Sequence, residues 1–172
     1  MEYRRPLRRL RSVLAPFPLS LGLSLAAIVV ASAAPPRIAV VDIAFTDSSG
    51  EARDQAAEHA ARQRALTDGL RRDVAQAGQL ESVSLDCGVG CTLDAEGVDK
   101  LRQRAREAGA AYVLVGSVHK MSTLVMSMRL AVLDTSTGRL VLERLLSFRG
   151  DNDDGWRHAG DYAAREVAAT VR

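Results

Sequence analysis

At 172 residues, with 23 lysines and arginines against 21 aspartates and glutamates, the chain is nearly neutral and long enough for one domain with its own core. Five of the basic residues, Arg4, Arg5, Arg8, Arg9 and Arg11, lie in the first eleven positions. Beyond residue 33 the balance is 18 basic to 20 acidic, a net charge of −2, so a nucleic-acid role loses its electrostatic basis.

Residues 1–33 read as a secretory signal peptide. The arginines form a basic n-region, Val13 to Val30 is apolar, and Ala31-Ser32-Ala33 is a small-residue cleavage site. No cysteine follows the apolar run closely, which argues against a lipoprotein anchor. Cleavage is expected before Ala34, because a cut one residue later would place Pro35 first. The alternative is an uncleaved inner-membrane anchor of about the minimum spanning length. On the first reading, residues 34–172 form a single periplasmic domain.

Arg37 to Phe45 (RIAVVDIAF) is expected to be the first strand, followed by a loop at Asp47-Ser-Ser-Gly50. A helix is predicted from about Asp54 to Ala77, with Leu66, Leu70, Val74 and Ala77 as its apolar stripe and Gly78 as its stop. Gln79 to Leu85 reads as a short strand. Asp94 is placed to cap a second helix running to about Ala108, with Val98, Leu101 and Ala105 facing inward. Three strands follow: Tyr112 to Gly116, Thr123 to Leu133 and Leu140 to Phe148. Asp151-Asn-Asp-Asp154 then leads into a last helix with Trp156, Ala159, Ala163 and Val167 on one side. The order βαβαβββα predicts an α+β fold, one five-stranded mixed sheet with helices packed on it.

The segment Asp134-Thr-Ser-Thr-Gly138 predicts a three-residue hairpin loop closed by a left-handed glycine. In that register Leu130, Val132, Leu140 and Leu142 share the apolar face, while Arg129 and Glu143 meet on the other. Arg144 is the exception on the apolar side, expected to snorkel. Thr135 is expected to be exposed in the turn.

Taken together, Ile38-Ala-Val-Val-Asp42, the run from Glu107 to Lys120 (EAGAAYVLVGSVHK), Asp134-x-x-Thr-Gly138 and Arg149-Gly-Asp-x-Asp-x-x-Trp156 resemble an uncharacterised, domain-of-unknown-function family of bacterial exported proteins. More distantly the pattern is similar to the N-terminal domain of the Tol translocation protein TolB, the curli secretion lipoprotein CsgG and the activator lipoprotein LpoB. Ala111 here replaces an aspartate of that pattern. The resemblance implies a non-catalytic periplasmic accessory or scaffold module that binds an envelope protein. The alternative it offers is a small-molecule sensor or carrier linked to periplasmic quinoprotein alcohol oxidation, near which some family members are found.

The sharpest chemical feature is Cys87-Gly-Val-Gly-Cys91. In an exported chain it reads as a disulfide, with a redox-active pair as the alternative. His59, His119 and His158 are scattered without zinc-ligand spacing. Met126 and Met128 share a face with leucines, which points to packing rather than copper. Asp151, Asp153 and Asp154 lack the remaining ligands of a calcium loop and read as helix-capping carboxylates. Trp156 is read as a core anchor, with partner contact as the alternative. Ser117 and His119 fall on one strand face without an orienting acid, so no catalytic pair is assigned. Neither cofactor nor metal is expected. Ser117, His119, Lys120, Asp151, Asp153, Asp154 and Trp156 are the candidate partner or ligand surface.

Overall fold

The computed structural model describes residues 34–88 and 92–171. The expected signal peptide and Cys91 lie outside the described residues. The elements are β1 (Arg37–Val41), β2 (Ala44–Asp47), α1 (Ala56–Gly78), β3 (Glu81–Leu85), α2 (Ala95–Glu107), β4 (Tyr112–Lys120), β5 (Val125–Asp134), β6 (Leu140–Arg149) and α3 (Asp153–Thr170). They make an α+β fold with a mixed sheet in the order β3-β1-β4-β5-β6, with β2 also paired to β4. β1, β2, β3 and β4 run parallel, while β5 and β6 complete an antiparallel meander.

Six strands form where five were expected, because the first is interrupted at Asp42-Ile43. Side chains of α1 hold the break open. The Ile43 amide donates to Thr67 Oγ1 at 3.1 Å, and its carbonyl accepts from Gln63 Nε2 at 2.5 Å. Arg71 donates to the Asp42 carboxylate at 2.7 Å. These bonds satisfy backbone and charge that would otherwise be stranded at the break. The interruption lets β1 pair with the start of β4 and β2 with its end.

Alternation along the strands builds two cores. On one face, Ile38, Val40, Leu114, Val118, Met126, Met128, Leu130, Val132 and Leu142 pack beneath α1 and α3. Each large apolar side chain so buried stabilises the fold by about 1.5–3 kcal/mol. On the other face, Ala39, Val41, Val113 and Val115 pack beneath α2, which supplies Leu101 and Ala105. Gly116 marks a close approach: a Cβ there would lie 2.5 Å from Leu130 Cδ2 and 2.9 Å from the Arg129 carbonyl.

The expected cap is present at α2, where Asp94 accepts from the Gly97 amide at 2.8 Å. At α3 the capping reading of the aspartates is corrected: Asn152 is the cap, accepting from the Gly155 amide at 2.9 Å, while Asp151 turns inward to Lys120. At the end of α1 the left-handed residue is Gln79 (φ 52°), not Gly78. Gly78 instead faces the Leu80 side chain, where a Cβ would come within 2.9 Å.

The hairpin turn forms as expected, with Gly138 at φ 71° and its amide donating to the Asp134 carbonyl at 2.9 Å. Two expectations are corrected. Leu140 leaves the apolar face, because a bulge shifts the register between Val132↔Leu142 and Leu133↔Leu140. Thr135 is buried rather than exposed, its hydroxyl donating to the Ala110 carbonyl at 2.7 Å. Arg144 stands opposite Leu130 and reaches Glu166 of α3 at 2.8 Å.

Candidate functional site

Two places in the fold gather functional chemistry, and the candidate residues of β4 divide between them. The division follows from the period of two along β4. Lys120 points to the α1–α3 face, while Ser117 and His119 point to the other.

The first place is a buried ion network. The parallel register sets Asp47, the last residue of β2, beside Lys120, the last of β4. The loop after β2 brings Glu51, the first turn of α1 brings His59, and the loop after β6 brings Asp151. Lys120 is completely buried, so its expected surface position is corrected. Its ammonium contacts the Glu51 carboxylate and lies 2.8 Å from Asp151 Oδ2 and 3.8 Å from Asp47 Oδ2. Asp151 is almost as enclosed, with its side chain 6% exposed. It also accepts from His59 Nε2 at 2.7 Å, Arg62 Nη1 at 3.0 Å and Trp156 Nε1 at 3.2 Å.

Burial raises the pKa of the Asp151 carboxyl, but the bonds from His59, Lys120 and Trp156 outweigh it and hold the value at about 2. Burial likewise acts to lower that of Lys120, and the hydrogen bonds and charges of Asp151 and Glu51 reverse the sign and raise it. The lysine bond lowers Glu51, while Ser49 is the main cause that lowers Asp47. An ammonium held protonated among carboxylates is neither base nor nucleophile. It occupies the position a cation would take. The network therefore fixes geometry, tying together β2, β4, α1 and the start of α3.

Trp156 is likewise interior. It is buried, with Phe45 and Phe148 at ring-centroid distances of 5.6 and 6.3 Å. Asp153 is exposed and pairs with Arg62 at 2.9 Å; Asp154 is exposed and pairs with Arg157 at 3.2 Å. Both lie in the first turn of α3, where carboxylates are favourable. Asp47, Glu51, His59 and Arg62 were missed from the sequence. They are scattered over sixteen positions, at a strand end, in a loop and in a helix, and only the fold brings them to Asp151 and Lys120.

The second place is the sheet face beside α2. That helix covers β1 and the start of β4, leaving the rest open. A trough of about 590 Å3 lies there, lined by Ser117 and His119 of β4, Arg129 of β5 and Leu140, Glu143 and Leu145 of β6. Leu140 is 50% and Leu145 65% exposed. His119 bonds Ser48, in the loop just after β2, Oγ to Nε2 at 2.6 Å, rather than Ser117. Among the described residues no carboxylate orients that ring, so the pair lacks the third member of a hydrolytic triad. β6 is the edge of the sheet, with no second strand neighbour among the described residues. Cys87 is half-buried after β3 and engaged rather than free.

A family model described as "Protein of unknown function (DUF2380)" matches residues 36–167. The chain belongs to this family. The match spans every strand and most of α3, so both places lie within it. No curated protein matches the chain significantly. Among solved structures, the PelC dodecamer from Paraburkholderia phytofirmans aligns with a TM-score of 0.50 at 18% identity, over 83% of this chain and 92% of that one. The hypothetical protein CT253 from Chlamydia trachomatis aligns at 0.51 and 12% identity, over 79% and 98%. TolB from Acinetobacter baumannii aligns at 0.46 and 19% identity, over 79% of this chain and 28% of TolB. For PelC and CT253, at these identities, the likeness is one of fold. No helix among the described residues is long and apolar enough to cross a membrane.

Proposed function

We propose that this chain is a non-catalytic periplasmic accessory module that docks an envelope protein on its open sheet face. The observation that carries the reading is the combination of Leu140 and Leu145, half or more exposed, with a trough floored by Ser117 and His119. Apolar side chains rimmed by Arg129 and Glu143 fit the anatomy of a protein contact, an apolar centre with a charged border. The buried cluster supports the same reading, because its lysine is committed to ion pairs. PelC, which shares the fold, is a dodecamer, which fits an architecture used for protein contact.

Gentle cross-linking in the periplasm followed by affinity capture tests this. The parent should bring down a specific envelope protein, and Leu140→Glu should lose it while folding normally. Capture of the same protein by both, or of none by the parent, contradicts the proposal.

Export by cleavage before Ala34 and a Cys87–Cys91 disulfide belong to the same proposal. The unreduced peptide should be lighter by two hydrogens, whereas quantitative labelling of both thiols in exported protein would rule the bond out. The ring is small, so Cys87→Ser should cost only about 1–3 kcal/mol.

The second reading, a small-molecule carrier, has one feature in its favour. A groove of about 510 Å3 runs between α1 and α3, within the range of ligand pockets. Its lining of Arg62, Arg72, Asp73 and Arg157 alongside Leu66 and Trp156 mixes both charges with apolar surface. Saturable binding of a small alcohol or its oxidation product, lost in Gly69→Trp, would favour this reading over protein docking.

A further inference from the structure

Beyond the docking of an envelope partner, β6 carries an arrangement of charges that matches itself. It is ten residues long, Leu140–Arg149, and it borders the sheet with backbone groups open to pairing. Glu143 and Arg149 are exposed on the open face, and neither side chain has an ion-pair partner among the described residues. We propose that two copies of the chain associate by antiparallel pairing of their β6 edges, with Leu146 opposite Leu146 of the second copy at the two-fold axis.

The register follows from symmetry and charge. A two-fold axis normal to the sheet keeps each side chain on its own face, and residues directly opposite each other in an antiparallel pair share a face. The axis must therefore pass through a residue, not between two. Centring on Arg144 would set two arginines together. Centring on Leu145 would leave Glu143 opposite a serine and Arg149 opposite the bulged Val141. Centring on Ser147 would set Glu143 opposite Asp151, which lies beyond the strand with its carboxylate already committed to Lys120, and so would leave Glu143 unpaired. Centring on Leu146 sets Glu143 opposite Arg149 of the second copy twice over, and Leu145 opposite Ser147. It also makes the two Leu145 side chains diagonal neighbours, within reach of each other. That arrangement gives the 65%-exposed Leu145 a partner, and it joins two open faces into one continuous surface.

Sedimentation velocity on the exported protein across the micromolar range tests the pairing. The parent should shift from monomer to dimer. Glu143→Arg and Arg149→Glu should each weaken association by about tenfold or more, because each sets like charges opposite one another. An equimolar mixture of the two variants should recover the dimer, since every opposed pair in the mixed species is again Glu with Arg. Misfolding of either variant would not produce that recovery, and a failed envelope partner would not affect it. A parent that stays monomeric throughout, single variants that dimerise like the parent, or a mixture that remains monomeric would each overturn the proposal.

Discussion

Lys120 shows what one residue can do when the fold places it among carboxylates. Its side chain is completely buried, and Asp151, Glu51 and Asp47 surround the ammonium. Removing only the lysine leaves charge buried without compensation, so Lys120→Ala should cost about 3–5 kcal/mol in urea melts. Its loss would release four elements at once, so a variant that melts like the parent would show the network to be slack. The pH dependence has a definite sign. The Asp151 pKa is lowered from 3.8 to about 2, so its stabilisation is complete above the unfolded value and is lost as pH falls from about 4 toward 2. Lys120 is raised above 10.5, so its contribution is complete below that value and is lost only in stronger alkali. Stability should therefore be flat with respect to these two groups from about pH 5 to 10. Asp151→Asn should flatten the acid limb, which pH-dependent melts would measure. Thr135 makes the opposite lesson to an exposed turn residue. Its buried hydroxyl bonds the Ala110 carbonyl, so Thr135→Ala should cost about 1–3 kcal/mol, not a few tenths. A two-state urea melt of that variant is decisive.

At the scale of elements, local signals determined most of the outcome. Asp94 and Asn152 cap their helices, and Asp134 to Gly138 turns the hairpin, because each rests on chemistry within four residues. The departures arise where partners are far away in sequence. The first strand breaks because Gln63, Thr67 and Arg71 reach it from α1. Leu140 changes face because Val141 is bulged, and a single extra residue reverses the parity of everything on one side of it. Leu130 and Leu142 remain in the core at 1% and 4% exposure, so Leu130→Ala and Leu142→Ala should each cost about 2–5 kcal/mol. Leu140→Ala, half exposed on the open face, should stay within about 0.5 kcal/mol of the parent. Urea melts of the three variants check the face assignment. A large loss at Leu140 with none at Leu142 would place the bulge elsewhere.

For the whole molecule, the α+β class and the order of elements were readable from hydrophobic periodicity, and membership of a family of unknown function was readable from motifs spread along the chain. The division of the candidate site was not. Ser117, His119 and Lys120 are neighbours in sequence, yet they end on opposite faces of the sheet, one pair in the open trough and the lysine beneath α1 and α3. What makes the trough available is a property of assembly: α2 covers only part of its face, while α1 and α3 together cover the other. The claim that this open face docks a partner protein is tested most directly by photo-cross-linking in living cells. A photoreactive residue is placed at Arg129 or Leu140 on the open face, and at Tyr162 or Arg165 on the exposed side of α3. The account predicts an adduct with one specific envelope protein from the first two positions and none from the last two. Adducts from Tyr162 and Arg165 alone, or none from any position, would contradict it.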